Sequence, residues 1–156
     1  MENKGNPETL ILPAPAHFGI VTRDIEKSIQ NFQRYYGIEF LERKVPDYFN
    51  KRYYGKPEDF KIELAFARVG NTVYELIQVL QGKTVYEDFM NEHGEGIHHL
   101  GYEIQNLAMW AKAYTKIGIK PIMSGQREGI KWVYFDTPVI VVELLERTMI
   151  EQGCLR

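Results

Sequence analysis

The sequence predicts an α+β fold of two tandem βαβββ modules, whose curved mixed sheet surrounds a metal cleft. Three observations carry this. His17-Phe18-Gly19-Ile20-Val21 is matched 82 residues later by His99-Leu100-Gly101-Tyr102-Glu103. Tyr74-Glu75-Leu76-Ile77-Gln78 is matched 68 residues later by Val142-Glu143-Leu144-Leu145-Glu146. After each His segment the apolar spacing changes from alternation to steps of three and four, the pattern of a strand followed by a helix. One unit written twice, with His at its front and Glu at its back, implies a cation held between the copies.

Residues 1–13 read as a flexible N-terminal tail, with Leu10-Ile11-Leu12 able to dock on a neighbouring surface. The first module spans 14–80. Its opening strand leads into Thr22-Arg23-Asp24, which offers capping oxygens. Ile25, Ile29, Phe32 and Tyr36 then form an apolar helical face, and Gly37 is its stop. A short strand over 38–41 follows, then strands over 62–68 and 73–79 joined by a turn at Val69-Gly70-Asn71-Thr72. Residues 81–96 are a connecting helix that starts at Thr84-Val85-Tyr86-Glu87, spaced as a capping box, and closes at His93-Gly94.

The second module spans 97–147. Asn106 caps a helix with Leu107, Trp110, Tyr114 and Ile117 inward, and Gly118 ends it. Strands over 119–123, 131–136 and 139–146 complete the module, and 148–156 are a C-terminal tail. The two spacings differ by 14 residues, and the extra length falls in 42–60. That segment sets Tyr48, Phe49, Tyr53 and Tyr54 among Lys44, Lys51, Arg52 and Lys56. It reads as a solvated loop with some aromatic packing. The alternative is a lid beside the site that meets an anionic or apolar part of a substrate.

A chain of 156 residues, 44% hydrophobic and 13% aromatic, buries a substantial core. Its 19 basic and 21 acidic residues are well mixed, for a net charge of −2, so neither a nucleic-acid stripe nor a membrane-surface patch is expected. The single cysteine, Cys154, excludes an internal disulfide framework. With no charged-then-apolar leader and no run of about 18 apolar residues, a soluble cytoplasmic protein is the expectation.

Alternation of strand side chains places His17 with Gly19 and His99 with Gly101 on one face, and sends His98 to the other. Glu75 and Glu143 each sit between apolar strand residues, where a lone buried carboxylate is costly. Two such Glu residues, each with a matching His, are explained by a shared cation. The metal set is therefore His17, Glu75, His99 and Glu143. His93 and His98 read as structural residues, and Glu103 and Glu146 as surface or supporting groups. Glu63, beside Leu64 and Phe66, is a further acid or base candidate if its register turns it to the cavity.

Together with Gly94-Glu95-Gly96-Ile97-His98-His99 and Asn71-Thr72 before Glu75-Leu76, these residues resemble the vicinal oxygen chelate superfamily. Its members include glyoxalase I, methylmalonyl-CoA epimerase, extradiol-type dioxygenases and bleomycin-resistance proteins, and the likeness to the epimerases is greatest. It covers about residues 16–147. The segment Phe135-Asp136-Thr137-Pro138-Val139-Ile140 and the long 42–60 loop depart from the epimerase pattern. The resemblance implies paired βαβββ modules, metal positions on the four residues above, and a homodimer.

Two imidazoles and two carboxylates suit one divalent ion such as Co, Ni, Mn, Fe or Zn. Four protein donors leave two octahedral positions for a chelating small-molecule substrate, an acyl thioester or a 2-oxo or hydroxy compound. The cation stabilises charge that develops when a proton next to a carbonyl is lost. Glu143, then Glu75, or else Glu63, is the candidate base. The expected function is an epimerase-like isomerase, with a glyoxalase I-like lactoylglutathione lyase second. An Fe(II) dioxygenase using His17, His99 and Glu143, and a non-catalytic ligand-binding protein of the bleomycin-resistance type, are the alternatives.

Overall fold

Along residues 10–148, which the computed structural model describes, the order is β1 (His17–Val21), α1 (Ile25–Tyr36), β2 (Glu42–Lys44), β3 (Phe49–Tyr53), β4 (Lys56–Pro57), β5 (Lys61–Val69) and β6 (Thr72–Gln81). It continues α2 (Val85–His93), β7 (Gly96–Glu103), α3 (Leu107–Lys116), β8 (Pro121–Arg127), β9 (Ile130–Asp136) and β10 (Val141–Arg147). Of the predicted tails, 1–13 and 148–156, residues 1–9 and 149–156, Cys154 included, lie outside the described residues.

All ten strands join one sheet in the order β2-β5-β6-β1-β7-β10-β9-β8-β3-β4. At its centre β1 runs antiparallel to β7, and each takes the last strand of its own half as a parallel neighbour, β6 beside β1 and β10 beside β7. The repeat in the sequence is thus a repeat in the sheet. Each helix is started by the residue type that such ends require. The Asp24, Thr84 and Asn106 side chains accept from the backbone N–H of Lys27, Glu87 and Met109, and Gly37 ends α1 at φ 67°.

Side chains on the sheet's inner face, among them Val21, Leu64, Ile77, Met123, Trp132 and Tyr134, form one buried cluster into which α2 inserts Val85, Tyr86 and Met90. On the outer face α1 covers Ala65 and Leu76, while α3 covers Phe135, Val142 and Leu144. Leu10 and Leu12 pack on this second outer cluster, as the apolar triplet predicts, and Ile11 points to solvent. No helix among the described residues is long and apolar enough to cross a membrane.

Four expectations are corrected. Residues 38–41 form no strand; β2 begins only at Glu42, where β5 offers a partner. Ile117 is 69% exposed, because it is the residue that ends α3 rather than one on its buried stripe. Val139 is 92% exposed, and the last strand starts two residues later.

The fourth correction concerns 42–60, which is no plain solvated loop. It supplies three strands, and β3 pairs with the otherwise free edge of β8 in the other half of the chain. Tyr48 packs edge-on against Trp132, ring centroids 5.3 Å apart. Since β2 and β3 lie toward opposite ends of the sheet, residues 45–48 must cross from one end to the other. Five Cα steps reach at most about 17 Å. The sheet is therefore curled into a half-barrel with a strap across its opening.

Candidate metal centre

Strand register assembles the site. On β7, Gly101 lies opposite His17 of β1 and Glu143 of β10. On β1, Gly19 lies opposite His99 of β7 and Glu75 of β6. Each glycine is thus flanked by one His and one Glu, and the two trios are related by the repeat. The glycines have a steric purpose. A Cβ on Gly101 would overlap the His17 ring, and a Cβ on Gly19 the His99 ring. Each imidazole lies over the bare backbone of the neighbouring strand, and so the two rings turn toward a common point.

At that point the donor atoms converge. His17 Nε2 is 2.6 Å from Glu143 Oε2 and 3.4 Å from Glu75 Oε2. His99 Nε2 is 3.1 Å from Glu143 Oε2 and 3.6 Å from Glu75 Oε2, and the two Nε2 atoms are 3.2 Å apart. One ligand atom from each of the four residues falls within 4.8 Å of the others. The donor chemistry fits a divalent cation: two neutral nitrogens, two negative oxygens, and a charge of two for the carboxylates to neutralise.

Without a cation, protons take its place. Burial alone would lower the His17 pKa, but the Glu75 and Glu143 carboxylates outweigh it and raise it to about 9. Burial works against His99 as well, and its hydrogen bonds to Glu143 and Glu75 raise its pKa nonetheless. Burial opposes ionisation of Glu143, yet the charge and hydrogen bond of His17, joined by His99, hold it well below the usual carboxylate range.

His98 is a correction to simple alternation. The β1–β7 register slips between Gly19 and Ile20, leaving an irregularity in β7 around His98. Its ring therefore meets that of His99 instead of pointing away, with the two Nδ1 atoms 2.9 Å apart. Burial first, then the neighbouring charge of His99, lowers the His98 pKa to about 3, so the ring stays neutral. One proton can occupy that Nδ1···Nδ1 contact. When it resides on His99 Nδ1, His99 Nε2 is left with the lone pair that a cation requires.

Over His17, Glu75 and Glu143 opens a cavity of about 690 Å³, while His99 is fully buried. Tyr48, Phe66 and Trp132 make its aromatic wall, and Arg68, Arg127 and Arg147 stand at the ends of β5, β8 and β10. Glu63 is not brought to it. Leu64 and Phe66 take the inner face of β5, and Glu63 falls on the outer face, 2.6 Å from Arg43, which also holds Glu26 of α1. Glu103 and Glu146 occupy supporting positions: Glu103 pairs with Arg147 at 3.0 Å, and Glu146 accepts from the Asn106 N–H at 2.9 Å. The cavity positions of Arg127 and Trp132 escaped sequence reasoning, whereas that of Tyr48 agrees with the alternative reading of 42–60 as a segment beside the site. The aromatic-basic character of 42–60 was the available signal for Tyr48.

Comparison with known proteins gives concordant findings. Residues 16–135 match the Glyoxalase/Bleomycin resistance protein/Dioxygenase superfamily. The uncharacterized protein YqjC of Bacillus subtilis (strain 168) is 24% identical over 136 residues, covering 83% of this chain and 89% of that protein. The crystal structure of methylmalonyl-CoA epimerase from Mycobacterium tuberculosis superposes with a TM-score of 0.69 at 17% identity, over 90% of this chain and 92% of the other. A Streptomyces coelicolor methylmalonyl-CoA epimerase (S115T) in complex with 2-nitronate-propionyl-CoA gives 0.68 at 15% identity, over 90% and 98%. At these identities the structural likeness shows a shared fold.

Proposed function

The chain belongs to the Glyoxalase/Bleomycin resistance protein/Dioxygenase superfamily, and on that premise we propose that it is a divalent-metal-dependent isomerase or lyase that removes a proton next to a substrate carbonyl. The observation that carries the reading is the convergence of His17, Glu75, His99 and Glu143, of which all but the fully buried His99 line a cavity. These four residues would hold the cation. Once bound, it would polarise a chelated carbonyl and make the neighbouring C–H more acidic.

The chain's own residues would do the rest. Glu75 and Glu143 reach the centre from β6 and β10, on either side of the central β1–β7 pair. That disposition suits an isomerisation in which one carboxylate removes a proton and the other returns it on the opposite face. Glu143 is first choice as base and Glu75 second. Trp132, Phe66 and Tyr48 keep the reacting end away from bulk water, which strengthens every charge interaction there. Four donors favour this chemistry over an Fe(II) dioxygenase, which works with three protein ligands and more open positions.

An epimerase acting on a small acyl thioester is the preferred form, and a glyoxalase I-like lyase the second. Cation content and proton exchange test the proposal. Protein loaded with Co or Zn should exchange the α-proton of a chelating thioester or hemithioacetal in D₂O, and Glu143→Gln should slow exchange by about 100-fold or more. Glu75→Ala should weaken cation binding by at least roughly tenfold. No exchange across a panel of both substrate types would favour a ligand-binding protein. Retention of Fe(II) by Glu75→Ala with uptake of O₂ would favour the dioxygenase.

A further inference from the structure

Two of the four cations that line the cleft have a carboxylate partner among the described residues. Lys44 Nζ is 2.7 Å from Glu42, and Arg147 is 3.0 Å from Glu103. Arg68 stands exposed at the end of β5. Arg127 differs from all three. It follows Met123 and Gly125 on the inner face of β8, is half-buried, lines the cavity, and has no carboxylate oxygen within 4.0 Å among the described residues.

The inserted segment gives Arg127 a companion. β3 pairs Phe49 with Gln126 in antiparallel register, which carries Tyr48 alongside Arg127. Tyr48 and Arg127 line the same cavity as Glu75 and Glu143. A guanidinium and a phenol therefore flank the cavity near the four-residue centre, against the Trp132 ring. A half-buried guanidinium with no carboxylate in ion-pair contact keeps its planar fork of donors free, and that fork matches a carboxylate.

We propose that Arg127 and Tyr48 form an anion subsite, which binds a carboxylate that the substrate carries beyond its two chelating oxygens. The proposal rests on the metal reading above and narrows it, from any chelating carbonyl compound to one with a further singly charged group. One guanidinium and one phenol match a single negative charge.

Two hydroxamates test this in cobalt(II)-loaded protein. Acetohydroxamate and the monohydroxamate of succinic acid present the same chelating oxygens, and the second adds a carboxylate. Titrations followed by the cobalt spectrum should show the succinic probe binding more tightly by at least roughly tenfold, as expected for a charge-assisted contact. Arg127→Gln should abolish the preference while acetohydroxamate and cobalt affinities stay within about twofold of the unsubstituted protein. Tyr48→Phe should reduce the preference without altering acetohydroxamate binding; a preference of undiminished size there would remove Tyr48 from the subsite. Equal binding of the two probes, or a preference that survives Arg127→Gln, overturns the subsite and leaves the metal reading intact. A cobalt spectrum unmoved by either probe overturns both.

Discussion

Gly101 and Gly19 matter to the centre as much as the histidines, because their missing side chains are the space the imidazoles occupy. Gly101→Ala should push the His17 ring out of the donor cluster, and Gly19→Ala the His99 ring. Overpacking of this kind costs about 1–3 kcal/mol of stability. The larger effect should be on the ion: affinity measured by calorimetry should fall by roughly two orders of magnitude, since a displaced nitrogen no longer ligates. Wild-type affinity in Gly101→Ala would show that the ring has room elsewhere. This part of the site was legible, because His-x-Gly occurs twice at matching positions and alternation puts both residues on one face. The environment of His98 was not. An irregular register depends on the neighbouring strand, and nothing in the local sequence of β7 announces it.

Among the elements, the helices were the most legible, since their ends depend on near neighbours. Thr84 accepts from the Glu87 N–H at 3.2 Å and starts the helix that carries Tyr86 beneath the site, where its hydroxyl lies 2.8 Å from that of Tyr134. Thr84→Ala should lower stability to urea by about 1 kcal/mol, the usual cost of a lost N-cap. No loss in urea melts would mean that buried α2 contacts alone fix its start. The strands of 42–60 were illegible for the opposite reason. Their aromatic and basic residues have no clear alternation, and β3 finds its partner, β8, about seventy positions away. Glu63 illustrates a third limit: its strand was foreseen, but which face it takes depends on the β5–β6 register, which seats Glu75 against Phe66.

The whole molecule stores charge in its core, and pH should reveal this when a chelator keeps cations away. Folding raises the His17 pKa from 6.5 to about 9, so the folded chain binds a proton that the unfolded chain releases more readily. That contribution is full below pH 6.5 and lost as pH rises through 9, and is worth on the order of 3 kcal/mol. Glu143 acts in the other direction: its lowered pKa contributes above its ordinary 4.5 and is lost on acidification. His98, held neutral by burial, costs stability as pH drops below 6.5. Cation-free protein should therefore be most stable near pH 6.5 and weaken toward both pH 4.5 and pH 9. Saturating zinc should reverse the slope, because a cation needs imidazoles without their protons. Urea melts at pH 6 and pH 9, with and without zinc, check both statements; a cation-free protein more stable at pH 9 than at pH 6 would contradict the first.

The strap at 45–48 has a consequence for traffic. The strap bridges the curled sheet there, and Lys44 and Tyr48 at its ends line the cavity. On the function proposed above, a substrate would lead with its chelating oxygens and leave its trailing portion toward Arg68 and Arg147 at the strand ends. A vessel so used would grip the head and be indifferent to how long a handle it drags, so under that proposal carriers of very different size would deliver the same short acyl unit.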